Sequence, residues 1–301
     1  MKGNLEASVL QRLLNLSRAR GEEYEQVLVR YVAERFLYRL SRSPHASDFL
    51  LKGAMLFLTW DEIPHRVTRD IDLLGAQSTS VDGLQRIMSE IAAQLVEPDG
   101  VTFDVAGISS EAIRTAHAYG GVRVLIHAKL GKARVRLQVD VGFGDAVVPD
   151  PVALEFPSLL GLPRASMHGY CAETVIAEKA LAMVELGLLN SRLKDYYDIL
   201  HLCRKRSFEG AVLVAAMEAT ARKRRVRIPT VVIPGLTAEY AHDPARIMQW
   251  QGFCSRLKSE LRPGALHAVV EELAEFLRPI FRAAASGAGL PMQWPPKGPW
   301  Q

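Results

Sequence analysis

Asp70 and Asp72 stand one residue apart in Thr68-Arg69-Asp70-Ile71-Asp72-Leu73-Leu74, and of all residues in the chain they are best suited to chemistry. On an extended strand alternate side chains share a face, so both carboxylates point one way while Ile71 and Leu73 point into a core. Two such charges repel each other, and a divalent cation between them relieves the repulsion. Hard oxygen ligands of this kind suit Mg²⁺ or Mn²⁺. A solvated strand edge is the plainer alternative for an Asp-x-Asp. Upstream, Lys52-Gly53-Ala54 opens an apolar run, and small residues at a helix start let backbone N–H groups approach a phosphate closely.

Three further groups stand out. Lys179 falls on the apolar face formed by Val175, Ile176, Ala180 and Met183 of a helix over 172–187. A lysine turned inward must find an anion or lose its charge, unless its stem packs on the core and its ammonium reaches outward. The next helix carries Asp195 and Asp198, which share a face at i,i+3 and could orient Lys179 or hold a metal-bound water. Alternatively, Asp195 only favours its helix N-terminus. The third group lies on a hairpin turning at Gly131-Lys132, where a two-residue turn sets Asp140 opposite Arg123 and Arg136 opposite His127. The polar face of that hairpin is basic, with one carboxylate in it. Asp140 there is either part of a site or half of an ion pair without chemistry.

Hydrophobic periodicity supplies the elements that would hold these groups. Helices are expected over about 4–18, 22–42, 49–60 and 81–95, with Ser78-Thr79-Ser80 capping the last. Strands are expected over 66–74, 101–105, 121–130 and 133–143, with 60–65 as a linker. Pro149 to Arg164 reads as a connection between lobes. Beyond it come helices over 172–187, 192–206, 208–225, 243–262 and 265–284, then a Pro/Trp-rich tail. The expected division is residues 1–150 and 151–301.

With 301 residues and 49% of them apolar, there is material for a core and two lobes. No run of eighteen apolar residues occurs and the N-terminus is charged, so a soluble cytoplasmic protein away from membranes is expected. Cys171, Cys203 and Cys254 are far apart, which argues against a zinc site and a disulfide framework. Residues 201–230 hold eight Lys/Arg against Glu209 and Glu218, a local excess of six positive charges in a chain of net +4. That is the footprint of a polyanion partner, or of cations at helix ends.

The stretches LKGAMLFLTW…TRDIDLL and AEKALAMVELG…SRLKDYYDILHL resemble DNA polymerase beta-like nucleotidyltransferases. They look most like the AbiEii toxins of abortive-infection systems and the related MenT toxins of mycobacteria. The likeness runs over about residues 49–205 in four ordered motifs. It implies an α/β fold: a nucleotidyltransferase lobe with a small mixed sheet, a helical C-terminal lobe, and a nucleoside triphosphate held in a cleft between them. It also implies Mg²⁺ (or Mn²⁺) on Asp70 and Asp72, with Asp140 as a third carboxylate. Lys179 would contact the triphosphate, supported by Asp195, with Asp198 as the second acid of that motif. Lys52 and Gly53 would lie against phosphate, and Thr68 and Arg69 would be secondary contacts. The family usually carries Gly-Gly or Gly-Ser where this chain has Gly53-Ala54, so one hydroxyl is missing. The implied activity is nucleotidyl transfer to an RNA 3′-end, with tRNA or another structured RNA on Arg222–Arg227. The implied consequence is a block of translation, under the control of a cognate antitoxin. Transfer to a protein hydroxyl, or a non-catalytic RNA-binding module, are the alternatives.

Overall fold

Strict alternation over residues 121–143 builds the two longest strands, joined by the expected two-residue turn. A computed structural model describes residues 5–61, 64–113 and 120–301, and these divide into two compact units. One comprises residues 1–144 and 152–170, the other residues 145–151 and 171–301.

The first unit is built on a mixed eight-stranded sheet. Its strands are β1 (Phe49–Lys52), β2 (Asp70–Gly75), β3 (Val101–Phe103), β4 (Ser109–Ile113), β5 (Gly121–Leu130), β6 (Ala133–Phe143), β7 (Val152–Phe156) and β8 (Ala165–Gly169). The order is β3-β5-β6-β2-β1-β8-β7, with β4 also on β5. The pairs β2–β6 and β1–β8 are parallel, and the others are antiparallel. Register is set by burial: Ile71, Leu73, Val124, Ile126, Leu137, Val139 and Val141 are all fully buried, so a slip of one residue would put the polar face into the core.

The helices of this unit are α1 (Leu5–Arg20), α2 (Tyr24–Arg42), the single turn α3 (Gly53–Leu56) and α4 (Val81–Ala93). Ser80 caps α4, its hydroxyl accepting from Gly83 N at 3.0 Å. Helix α2 packs on β6, β8 and α4. Its buried polar groups are paired. Arg39 forms a two-pronged ion pair with Asp99 at 2.6 and 3.2 Å, and Glu34 accepts from Ser158 Oγ and Leu159 N at 2.8 Å.

The second unit is helical: α5 (Ala172–Leu186), α6 (Leu193–Lys205), α7 (Gly210–Arg224), α8 (Ala238–His242), α9 (Pro244–Cys254) and α10 (Leu266–Ser286). A two-residue ladder joins β9 (Phe208–Glu209) to β10 (Gln293–Trp294). Among the described residues no helix is long and apolar enough to cross a membrane.

Several expectations need correction. The 49–60 segment is not one helix: 49–52 is strand β1, and only one α turn and one 3₁₀ turn follow. A four-residue run with alternate positions fully buried and its neighbours half-buried hides its period of two. The strand at the acidic pair begins at Asp70 rather than at 66. Pro149–Arg164 contains edge strand β7, and β8 follows it. Strand β7 shows no strong pattern, because it leaves Val152, Ala153 and Glu155 exposed, while β8 alternates buried and exposed residues over only five positions. The 243–262 helix ends at Cys254, and a separate short helix precedes it. The tail is packed: Trp294 is buried, donates from Nε1 to Cys203 O at 2.8 Å, and lies with Trp300 against Phe276. In the expected 60–65 linker, Glu62 and Ile63 lie outside the described residues.

Candidate active site

In the first unit a row of charged residues crosses five strands. Lys52 on β1 pairs in register with Asp72 on β2, Asp72 with Asp140 on β6, Asp140 with Arg123 on β5, and Arg123 with Glu111 on β4. Asp70 sits two residues before Asp72 on the same face, alongside Gln138. Asp72 and Asp140 are thus adjacent carboxylates, about 4.8 Å apart at the backbone, the spacing between neighbouring strands. A cation flanks each on its outer side.

The sheet holds Asp140 firmly. Arg123 donates Nε to Oδ1 at 2.9 Å and an NH₂ group to Oδ2 at 2.8 Å, and Gln138 Nε2 reaches Oδ2 at 3.2 Å. These fill three of the roughly four acceptor positions of a carboxylate. The hydrogen bond to Asp140 raises the Arg123 pKa above its usual value. Burial works against that shift, and the charges of Asp140, Asp70 and Glu111 add to it. The expected cross-strand partners, Asp140 with Arg123 and Arg136 with His127, are the ones observed.

Gly53 stands against the second acid. Its φ is +66°, and a Cβ added there would overlap the Asp72 carboxylate. Both the backbone conformation and the close approach therefore require glycine. Lys52 Nζ lies over the Tyr170 ring, 5.0 Å from its centroid. Thr68 and Arg69 precede the strand. Thr68 Oγ1 comes no closer than 3.5 Å to Asp70 O, and Arg69 lies 3.8 Å from Glu25 as an exposed ion pair.

Asp70 and Asp72 offer two hard oxygen ligands on one face, which fits a Mg²⁺ site of the kind that substrate phosphates complete. Among the described residues there is no cluster of three or more His, Cys, Asp or Glu side chains able to hold a metal unaided.

The second unit brings together the other group. Lys179 Nζ on α5 lies 2.6 Å from Asp195 Oδ1 and 2.9 Å from Asp198 Oδ2, both on α6. All three are largely buried. Arg192 Nε approaches Asp195 Oδ2 at 2.7 Å, off the N–H axis, so that contact is a charge interaction without a hydrogen bond. Tyrosines between and beside the acids fix the rotation of α6. Tyr196 donates to Gly235 O at 2.9 Å and Tyr197 to Leu261 O at 2.8 Å. Asn190 sets the helix start, its Oδ1 accepting from Arg192 N at 2.8 Å, while Tyr240 donates to Asn190 O. Asn190, Tyr196 and Gln138 carry no motif. Only Gln138 had a legible signal, its place two residues before Asp140 on the same face.

The cluster at 201–230 is split. Arg224 turns inward to Glu178 and Glu185 on α5, at 3.4 and 3.6 Å, and Arg204 is bound by both oxygens of Glu272 at 2.7 and 2.6 Å. Arg222, Lys223, Arg225 and Arg227 remain exposed.

The first unit thus sets paired carboxylates on a mixed sheet against a glycine. Residues 35–283 match the family described as nucleotidyl transferase AbiEii toxin, type IV toxin–antitoxin system, and the chain belongs to that family. Enzymes of this class use nucleoside triphosphates and typically divalent metals, and a toxin–antitoxin family implies an antitoxin partner. Two Helicobacter pylori crystal structures are similar. JHP933 is 12% identical with a TM-score of 0.47, covering 84% of this chain and 90% of that one. A protein provisionally described as a nucleotidyltransferase is 13% identical with a TM-score of 0.43, covering 84% and 93%. No curated protein sequence matches the chain.

Proposed function

We propose that this toxin nucleotidyltransferase moves a nucleoside monophosphate from a triphosphate to the 3′-end of an RNA, tRNA being the expected acceptor, and so blocks translation. The observation that carries the reading is the register of Asp72 between the Gly53 backbone and Asp140. Asp70 and Asp72 would hold Mg²⁺, which when bound supplies charge neutralisation at the phosphates. In the reaction the 3′-hydroxyl oxygen bonds to the α-phosphorus, the bond to the β-phosphate oxygen breaks, and pyrophosphate leaves. The hydroxyl proton goes to Asp140 Oδ1, the oxygen with acceptor capacity left. Arg123 and Gln138 keep that carboxylate in one orientation. Gly53 leaves its backbone accessible beside Asp72, with Lys52 next to it and Thr68 and Arg69 as outer phosphate contacts. Lys179, oriented by Asp195 and Asp198, is the second unit's candidate phosphate-binding cation, as the family resemblance implies.

The test uses total RNA with and without periodate oxidation, which destroys the 3′-terminal diol. The expected result is label from an α-³²P-nucleoside triphosphate in untreated RNA alone. Label in oxidised RNA, or on protein, would overturn the reading.

A further inference from the structure

The outward face of the β5–β6 hairpin carries His127, Lys129, Lys132, Arg134 and Arg136, all exposed. Lys129 lies opposite Arg134, and His127 opposite Arg136. Like charges paired across a ladder destabilise a sheet, and no ion pair with a described residue compensates these five. Asp104, beside His127, turns its carboxylate to Gly107 N at 3.3 Å. Thr102, opposite Lys129, is neutral. The reverse face is buried through Val122, Val124, Ile126, Val135, Leu137 and Val139, so the register, and with it the cation array, is fixed. The fold itself gains nothing from such an array, whereas a polyanion would.

We propose that this face, through Lys129, Lys132, Arg134 and Arg136, docks the phosphate backbone of the acceptor RNA. The proposal rests on the RNA-acceptor reading above and moves the contact from Arg222–Arg227 to the sheet. Arg136 and Asp140 lie on the same strand and face, four residues apart, which is about 13 Å. That length spans about four stacked nucleotides at ~3.4 Å each. A strand held on the cations would therefore deliver its terminal hydroxyl to the carboxylate row. Phosphate contacts of this kind position a substrate without reading its sequence.

The experiment follows fluorescence anisotropy of a 5′-labelled RNA hairpin with a single-stranded 3′ tail, over a KCl series, with the full chain. R134A/R136A is compared with R222A/R225A/R227A and D72A, each checked for its melting transition. The proposal expects R134A/R136A to reduce the slope of log affinity against log salt by about 1.4, two single-strand phosphate contacts. D72A and the triple variant should keep the wild-type slope. Binding lost in the triple variant and kept in R134A/R136A would overturn it. So would absence of RNA binding by the wild type, or competition for this face by an acidic polypeptide alone. RNA bound through Arg134 and Arg136 without nucleotide transfer would sink the acceptor reading while leaving this surface in place.

Discussion

Gly53 and Asp72 share one small volume: the glycine Cα, at φ +66°, faces the carboxylate so closely that no side chain fits between them. Gly53→Ala therefore carries a conformational penalty of about 1 kcal/mol and also pushes Asp72 aside. Displacing a reacting group by about 1 Å can cost roughly 100-fold. The expected outcome is a melting temperature lowered by a few degrees and transfer activity lowered about 100-fold or more. Calorimetry and initial rates, measured side by side, check it.

Asp198 is fully buried against Lys179, whereas Arg192 is more than half exposed. Removing one member of a buried pair typically costs about 3–5 kcal/mol, and an exposed ion pair about 0–1 kcal/mol. Asp198→Ala should lower the urea unfolding free energy by several times the effect of Arg192→Ala. Equal effects would mean that Lys179 does not depend on Asp198.

Arg123 and Asp140 form a two-pronged pair that is partly exposed, so its net stabilisation is expected to be modest, on the order of 1 kcal/mol. Its larger effect should be on rate. In a double-mutant cycle of Arg123→Ala and Asp140→Ala, the second substitution should add little to the loss caused by the first. Independent, additive losses would separate Arg123 from the orientation of Asp140.

His45 bridges Asp48 at 3.0 Å and Glu90 at 2.8 Å, tying the turn before β1 to α4. Burial lowers its pKa, but the hydrogen bonds and charges of Glu90 and Asp48 outweigh that and leave it raised. A histidine raised on folding contributes stability that is fully present below the unfolded value of about 6.5. That contribution is lost as pH rises through the folded value. The stability difference between wild type and His45→Gln should accordingly shrink from mildly acidic to alkaline pH in denaturant titrations.

The tail offers a stability test away from the site. Trp294 is buried between Cys203 O and Phe276, and Trp294→Ala should cost about 3–5 kcal/mol. A neutral result in chemical denaturation would show that the tail does not pack in solution.

The hairpin was legible because one face of it is buried and the other is solvated. Val122 to Val141 alternate so strictly that even the Asp140–Arg123 pairing followed from the turn length. Helical spacing put Asp195 and Asp198 on one face, but left open whether they meet Lys179, which the structure shows at 2.6 and 2.9 Å. Strand β1 was hidden because Phe49–Lys52 is too short to show a period, and its pairing with β2 and β8 is a tertiary choice. Gly53 was noticed for its size, but its positive φ and contact with Asp72 depend on where the chain turns after β1. The inward turn of Arg224 to Glu178 and Glu185 was likewise invisible in a run of like charges.

We propose that the Asp70–Asp72 pair catalyses nucleotidyl transfer. It is tested most directly by incubating wild type and Asp72→Asn with each α-³²P-labelled nucleoside triphosphate, Mg²⁺ and total RNA. Label is expected in a discrete small RNA with the wild type, for one or more nucleotides, and none with Asp72→Asn at equal RNA binding. Transfer retained by Asp72→Asn would contradict it.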